Sequence, residues 1–272
     1  NVTIIPSYIF AGCTGLTNIT IPDSVTSIGN CAFYGCKGLI NITIPDNVTS
    51  IGGYAFSGCS GLTTINWNAT ACTNAGSSDY PILGNCSKLT TINIGYKVTT
   101  IPAYAFYDCA GLTSIAIPNG VTNIGVCALG GCSSLKSITI PFVGKSNNAT
   151  AYEAVLGYIF GYKTEILTGD YNWATTANES CSTSFYYSSA SDVSGATWQY
   201  SCYNSYGEYY GLPYCWNDKK HSLTYTKNNG YRLQSYYFYI PASLKNVVVT
   251  GEKVSDYAFF NCKGLTSITI SN

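Results

Sequence analysis

The sequence predicts an α/β solenoid of about eight short stacked parallel strands, with a large inserted α+β subdomain. The first observation is a period of 23 residues, broken by one step of 27, at which cysteine recurs with a leucine three positions later. The cysteines of this series are Cys13, Cys36, Cys59, Cys86, Cys109, Cys132 and Cys262. The second observation is that the pattern stops after residue 141 and resumes at residue 242. A fixed period of roughly 20 to 50 residues indicates units that stack on their neighbours.

Residues 23–45 show what one turn contains. Near its end Ile42 and Ile44 alternate with polar residues, and this period of two predicts a strand with one buried face. Pro45 ends the strand because proline has no amide hydrogen to donate. The next turn begins with a short extended piece, residues 48–51, followed by an Ala-Phe pair that predicts a tight helical turn packed under the strand.

The repeat divides the chain into turns, which we number in order. Turns 1 to 6 comprise residues 2–22, 23–45, 46–68, 69–95, 96–118 and 119–141. Turn 4 starts irregularly, because loop residues between Ala69 and Tyr80 replace the expected valine and Ala-Phe signals. From Leu135 to the equivalent Leu244 there are 109 residues where 23 are expected, so about 86 are inserted. The predicted domains are repeats at 1–141, a Tyr-rich insertion at 142–241 and resumed repeats at 242–272.

Composition limits the classes of partner. Charged residues make up only 10% of the chain, and 13 basic residues balance 13 acidic ones. A nucleic-acid partner would need a basic face, so none is expected. No run of about 18 apolar residues exists, and membrane insertion of this segment is therefore not predicted. Because the chain has no methionine and no signal-peptide pattern, we expect a processed product or an excised segment.

The thirteen cysteines are interpreted mainly through the repeat. A cysteine at one fixed position per turn behaves as a small buried hydrophobic residue, and parallel side chains do not suit disulfide geometry. Free thiols are therefore expected along the series. Cys31 and Cys127 occupy a second slot, where other turns have a tyrosine. Within the insertion, a Cys202–Cys215 disulfide and free thiols remain alternatives, and no close cysteine pair predicts zinc.

The repeat, written Val-Thr-x-Ile-Gly-x-x-Ala-Phe-x-x-Cys-x-x-Leu-x-x-Ile-x-Ile-Pro, resembles the BspA-like (Treponema pallidum type) leucine-rich repeat class. The match covers 2–141 and 242–272, and the flanks of the insertion also resemble one seen in relatives. The resemblance implies a right-handed α/β solenoid at a cell surface, outside the cell. Some relatives are adhesins that bind host extracellular matrix proteins or other bacteria. The partner that the resemblance implies is thus a matrix or cell-surface protein.

The insertion carries its own signals. Thr150 and Glu153 have capping-box spacing, and the apolar residues that follow recur at helical spacing, so residues 151–160 are predicted to be a helix closed by Gly161. The run from Arg232 to Tyr239 alternates enough to be a strand.

Seventeen of the 25 tyrosines lie between Tyr152 and Tyr239. Tyrosine with serine and glycine is typical of paratopes, because tyrosine offers a large contact area at low entropy cost. The candidate partner-binding residues are Tyr186, Tyr187, Trp198, Tyr200, Tyr209, Tyr210, Tyr214 and Trp216. The alternatives are that these aromatic residues fill a small core of the insertion, or that they stack on the sugar rings of a glycan.

No reaction is indicated by the sequence. His221 is the single histidine and lies in a polar run, and no paired carboxylates or phosphate-binding glycine loop stand out. The sequence predicts no catalytic residue, cofactor or metal. We expect a non-enzymatic adhesion or protein-binding module. The alternatives are a structural spacer in a larger surface protein, or carbohydrate binding through the aromatic insertion.

Overall fold

The computed structural model describes residues 1–149, 151–154, 156–167, 183–187, 197–203, 233–255, 258–259 and 262–271. Its strands, in chain order, are β1 (Ile4–Ile5), β2 (Ser27–Ile28), β3 (Asn41–Ile44), β4 (Ser50–Ile51), β5 (Thr64–Trp67), β6 (Asn74–Ala75), β7 (Thr91–Ile94), β8 (Thr100–Ile101), β9 (Ser114–Ala116), β10 (Asn123–Ile124), β11 (Ser137–Ile140), β12 (Tyr162–Leu167), β13 (Thr183–Tyr187), β14 (Thr197–Tyr203), β15 (Leu233–Ile240), β16 (Asn246–Val249) and β17 (Ser267–Ile270). Two 3₁₀ turns, η1 (Ala151–Ala154) and η2 (Leu156–Ile159), precede β12.

The chain forms a parallel β-solenoid of about eight turns. One side of the coil carries the longer strands, in the orders β3-β5-β7 and β9-β11-β16-β17. A second side carries two-residue strands, in the orders β1-β2-β4-β6 and β8-β10. Partners are parallel and one repeat apart, as in Ile42 opposite Ile65. Strand β3 alternates exposed and buried residues, which confirms the predicted period of two.

The third side of the coil is a tight turn around each Ala-Phe pair. Phe33 N donates to Ala55 O at 2.7 Å, and Gly35 N donates to Ser57 O at 2.8 Å. The predicted helical turn is wrong here, because these amides bond to the next turn of the solenoid instead of to their own segment. The described residues contain no α-helix, so the helical part of the expected α/β class has no counterpart there.

The core is a set of columns that run along the solenoid axis. Rings of Phe10, Phe33 and Phe56 stack with centroids 5.2 and 5.1 Å apart, and we call this the phenyl column. Leu39 and Leu62, from the leucine slot, are fully buried beside it. Each turn thus covers the apolar face of the one before, and this shared burial is the main stabilising contribution.

Turn 7, which contains β16, is assembled from two separated pieces of chain, residues 142–161 and 240–250, and turn 8, which contains β17, follows it from residue 251. Phe142, Val143, Leu156 and Phe160 are buried in the same core before the chain leaves it, and Ile240 is buried where the chain returns. The helix predicted for residues 151–160 is wrong, since η1 and η2 take its place. The reason is pairing between turns: Leu156 N donates to Ala258 O of turn 8 rather than to a carbonyl four residues earlier.

The insertion contributes a four-stranded antiparallel sheet in the order β13-β12-β15-β14. Strand β15 confirms the strand predicted for Arg232 to Tyr239 and extends to Ile240. The helices of the expected α+β subdomain have no counterpart among the described residues of the insertion, where η1 and η2 are 3₁₀ turns. Only the backbone of β12, β13 and β14, and of β15 up to residue 239, is described.

Candidate binding surfaces

The structure locates half of the predicted partner-binding residues. Tyr186 and Tyr187 lie on β13, and Trp198 and Tyr200 lie on β14. The other four lie outside the described residues: Tyr209, Tyr210, Tyr214 and Trp216.

The register of the sheet divides the located positions between two faces. Tyr187 lies opposite Lys163, Lys163 opposite Tyr237, and Tyr237 opposite Tyr200, so these four positions form one row across the sheet. Trp198 lies opposite Tyr239 on the same face, because positions two apart on a strand share a face. We call this the Trp198 face. Register thus adds Tyr237 and Tyr239 to the predicted set.

Tyr186 belongs to the opposite face, which we call the Tyr186 face. It lies opposite Thr164, and Thr164 lies opposite Tyr236. Ile240 falls on the Tyr186 face by the same alternation along β15, and its side chain is buried in the solenoid core. Ile240 therefore places the Tyr186 face toward the solenoid at this end of β15. The Trp198 face is the opposite face of the sheet.

The long-strand side of the solenoid presents a polar surface. Asn66 Nδ2 donates to Thr43 Oγ1 at 3.1 Å, and Asn93 Nδ2 donates to Asn66 Oδ1 at 2.9 Å. These amides are engaged with one another along the axis. Tyrosine, tryptophan and arginine, the residues that dominate binding hot spots, do not occur at the outward positions of these strands. The surface is therefore better suited to solvent contact than to tight binding.

Sequence reasoning missed an edge of the solenoid that carries exposed tyrosines. Tyr8, Tyr34 and Tyr80 are exposed, and the Tyr54 and Tyr80 rings meet edge to face at 5.5 Å. Part of the signal was present, because a tyrosine or cysteine recurs two residues before the phenylalanine position, and Tyr8 and Tyr54 belong to that slot. Tyr34 and Tyr80 lie outside it. Five residues of that slot have a left-handed backbone conformation, which is uncommon for residues other than glycine: Tyr8, Cys31, Tyr54, Tyr104 and Cys127.

The repeat cysteines form a column of hydrogen-bonded thiols. Cys36 Sγ donates to Phe10 O at 3.1 Å, Cys59 Sγ to Phe33 O at 3.1 Å, and Cys86 Sγ to Phe56 O at 3.2 Å, each acceptor lying in the preceding turn. The free cysteines of the series are Cys13, Cys36, Cys59, Cys86, Cys109 and Cys132. Burial raises the pKa of Cys86 to about 12. A thiol that stays protonated is a poor nucleophile and metal ligand, so this column is structural.

Charged groups are few and local. Lys145 Nζ lies 2.7 Å from Glu153 Oε1, and Lys97 Nζ lies 3.4 Å from Asp46 Oδ2. Among the described residues no group of three or more His, Cys, Asp or Glu side chains converges as metal ligands would. His221 lies outside them. No helix in the described part of the chain has the length and apolarity needed to cross a bilayer.

A stack of parallel strands with a leucine in every turn defines the class of leucine-rich repeat solenoids. The family model of the BspA type leucine rich repeat region matches in six copies, over residues 3–136, 79–154 and 214–272. The chain belongs to this family, as its repeat motif predicted. Leucine-rich repeat proteins of this kind are generally protein-interaction and surface modules.

The solved structures that the chain matches include leucine-rich repeat proteins of several bacteria. A leucine-rich repeat protein of T. pallidum is 26% identical with a TM-score of 0.37, over 51% of this chain and 63% of its own. A leucine-rich repeat protein of Bacteroides ovatus is 19% identical with a TM-score of 0.41, over 99% of this chain and 52% of its own. The chain thus spans between half and two thirds of the length of these proteins. No curated protein gives a significant match.

Proposed function

We propose that this chain is a non-enzymatic adhesion module, exposed at a cell surface, that recognises a protein of the host matrix or of a neighbouring cell. The solenoid acts as the frame and the Trp198 face of the insertion as the contact surface. Tyr187, Trp198 and Tyr200 are its predicted anchors, and Tyr237 and Tyr239 join them.

The observation that supports this proposal is the strand register. It brings aromatic positions from three of the four strands, β13, β14 and β15, to one face. Strand spacing in a sheet is about 4.8 Å, so the row from Tyr187 to Tyr200 spans roughly 14 Å, a size that fits the buried centre of a protein interface. Family membership adds that such solenoids generally bind proteins.

The test is a binding screen of the intact chain against matrix proteins, cell-surface proteins and glycans. A triple variant, Tyr187→Ala, Tyr200→Ala and Tyr237→Ala, is compared with wild type on each bound partner. Truncation of buried interface tyrosines costs at least about 2 kcal/mol, so we expect binding to weaken by roughly 30-fold or more.

The matched control is the double variant Tyr186→Ala and Tyr236→Ala, which removes the same residue type from the Tyr186 face. It is expected to keep the wild-type Kd, with circular dichroism reporting the fold of both variants. Unchanged Kd in the folded triple variant contradicts the proposal, and so does loss of binding in the control alone.

The outcome of the screen also decides between the remaining functions. Binding only to glycans, with loss in the triple variant, favours carbohydrate recognition by aromatic stacking. Absence of any partner favours a spacer role, for which the polar, self-bonded long-strand side is suited.

A further inference from the structure

Among the described residues, the sheets on both strand-bearing sides of the solenoid are interrupted at the same junction. On the long-strand side one sheet ends with β7 and another begins with β9, and on the short-strand side one ends with β6 and another begins with β8. Both interruptions fall between turn 4 and turn 5. We call this junction the seam.

The tight-turn side is interrupted at the same place. Between turns 5 and 6, Phe106 N donates to Ala128 O at 2.9 Å and Asp108 N donates to Gly130 O at 2.7 Å. Residues 69–118 are all described, and within them no amide of the turn 4 tight turn bonds to turn 5. Polar contacts remain at one corner, where Thr99 N and Thr99 Oγ1 both donate to Thr70 O, at 3.0 and 2.9 Å. The exposed Lys97–Asp46 ion pair, at 3.4 Å, also joins turn 5 to turn 3.

The thiol column and the phenyl column break there too. Cys86 and Cys132 each donate to a phenylalanine carbonyl one turn back, whereas Cys109 forms no such bond with Leu83 in this fully described region. Leu83 replaces the phenylalanine of the column. Trp67 reaches across instead and meets the Phe106 ring edge to face at 5.3 Å, leaving its buried Nε1 without a hydrogen-bond partner in the described part of the chain.

Apolar packing nevertheless continues through the seam. Leu89 and Leu112, the leucine-slot residues on its two sides, are fully buried in one core, and Ile92 and Ile115 are nearly so. Hydrophobic contact is not directional, whereas strand hydrogen bonds fix the relative orientation of two turns. Apolar contact therefore holds the two turns together at the seam, but the strand hydrogen bonds that would fix their relative orientation are missing.

We propose that the solenoid consists of two cooperative blocks, turns 1–4 and turns 5–8, and that the seam opens reversibly as a hinge about the Thr70–Thr99 corner while both blocks stay folded. In repeat proteins each interface contributes separately to stability, so the interface with fewest bonds opens first. The second block carries the insertion. Opening of the seam thus reorients the insertion relative to the first block.

The experiment uses the repeat cysteines as reporters of opening. The intact protein is incubated with iodoacetamide under native conditions, and modification of each cysteine is followed by peptide mapping. Cys86 and Cys109 flank the seam, whereas Cys59 and Cys132 lie one turn further in on either side. We expect the seam pair to react about tenfold faster or more than the other two. Equal rates at all four, or faster reaction at Cys59 and Cys132, overturn the proposal.

Two matched variants test whether the corner is the hinge. Thr99→Val removes the hydroxyl bond to Thr70 O, and Thr49→Val removes the equivalent bond to Thr26 O between turns 2 and 3. Thr99→Val is expected to accelerate the labelling of Cys86 and Cys109 several-fold, while Thr49→Val leaves these two rates unchanged. If both variants accelerate the seam pair equally, opening is not localised at this corner and the hinge is refuted.

Discussion

At the residue scale, small side chains are required where one turn crosses the backbone of another. A Cβ placed on Gly61 would collide with the carbonyl oxygen of Lys37 in the turn before, and one on Gly38 would lie 2.6 Å from Thr14 O. Gly15 occupies the same slot in turn 1, where a Cβ would meet no atom within 4 Å. Stacking, and not local backbone conformation, leaves no room for a side chain at this slot in turns 2 and 3, whereas Lys88 and Ser134 occupy it in turns 4 and 6.

We therefore expect Gly61→Ala to lower the free energy of unfolding by about 1–3 kcal/mol, the usual cost of overpacking. Gly15→Ala serves as its control and should stay within about 0.5 kcal/mol of wild type. Urea denaturation followed by circular dichroism measures both. Equal stability of the two variants would show that the turns move apart freely at Gly61.

The sequence predicted which residues repeat more successfully than what each one does. Leucine and phenylalanine slots follow from apolar periodicity, and Leu39 and Phe33 are buried as expected. The left-handed conformation of Tyr54 and Cys127 was not predicted, because positive φ at a non-glycine residue leaves no compositional signal. The clash at Gly61 likewise depends on a residue one turn away.

At the element scale, the thiol column makes stability depend on alkaline pH. Burial raises the pKa of Cys132 from an ordinary value of 9.0 to about 12, and desolvation acts in the same direction on Cys86. Between about pH 9 and 12 the unfolded chain loses these protons while the folded chain keeps them. The thiol contribution is complete below pH 9 and is lost as pH rises through this window.

Wild type is expected to lose up to about 1.4 kcal/mol per pH unit for each such thiol above pH 9. Cys132→Ala should make the free energy of unfolding fall less steeply with pH, by the contribution of about one proton. Urea denaturation at pH 8, 9.5 and 10.5 measures this slope. Leu135→Ala, which removes a buried side chain without a thiol, should keep the wild-type slope. If the slope is the same in all three proteins, the buried Cys132 thiol is not a source of the alkaline pH dependence.

Helix and strand signals in the insertion differed in how well they predicted structure. The capping-box spacing at Glu153 and the apolar face after it fit a helix, yet η1 and η2 form because Leu156 N is used by turn 8. Tertiary pairing overrode local propensity there. Strand β15 was predictable because the alternating pattern of its sequence fits a strand, and pairing with β12 and β14 favours the same conformation.

At the scale of the whole molecule, the insertion leaves and re-enters the solenoid at nearly one point. Tyr162 is opposite Phe238 in the register of β12 and β15, so their Cα atoms are about 5 Å apart. Phe160 and Ile240, on either side of this point, are both buried in the solenoid core. The insertion can therefore be removed without changing the path of the chain through the solenoid.

Replacing residues 162–238 with an Asn-Gly link is expected to leave a folded solenoid, since both core residues are kept and two residues close an antiparallel pair. Thermal unfolding by circular dichroism should remain cooperative, with Tm within about 8 °C of wild type. Under the proposed function the same protein no longer binds its partner. Loss of the cooperative transition would show that the insertion is part of the solenoid core.

The 23-residue period was sufficient to predict the stacked architecture and the family. It was not sufficient to predict the seam, because turns 4 and 5 keep the leucine and cysteine slots that define the repeat. Only the replacement of phenylalanine by Leu83 and the irregular start at Ala69 indicated a change. The missing bonds arise from the relative placement of two turns, which single-turn patterns do not encode.

The orientation of the strand bonds has a mechanical consequence. Hydrogen bonds between turns run along the solenoid axis, because each turn donates to the next, as Phe33 N does to Ala55 O. A pulling force applied along that axis passes through every junction in series and stretches these bonds lengthwise, instead of loading many bonds together in shear. Such a rod yields first at its least bonded junction, and the seam would act as a compliant joint that extends under tension before any turn uncoils.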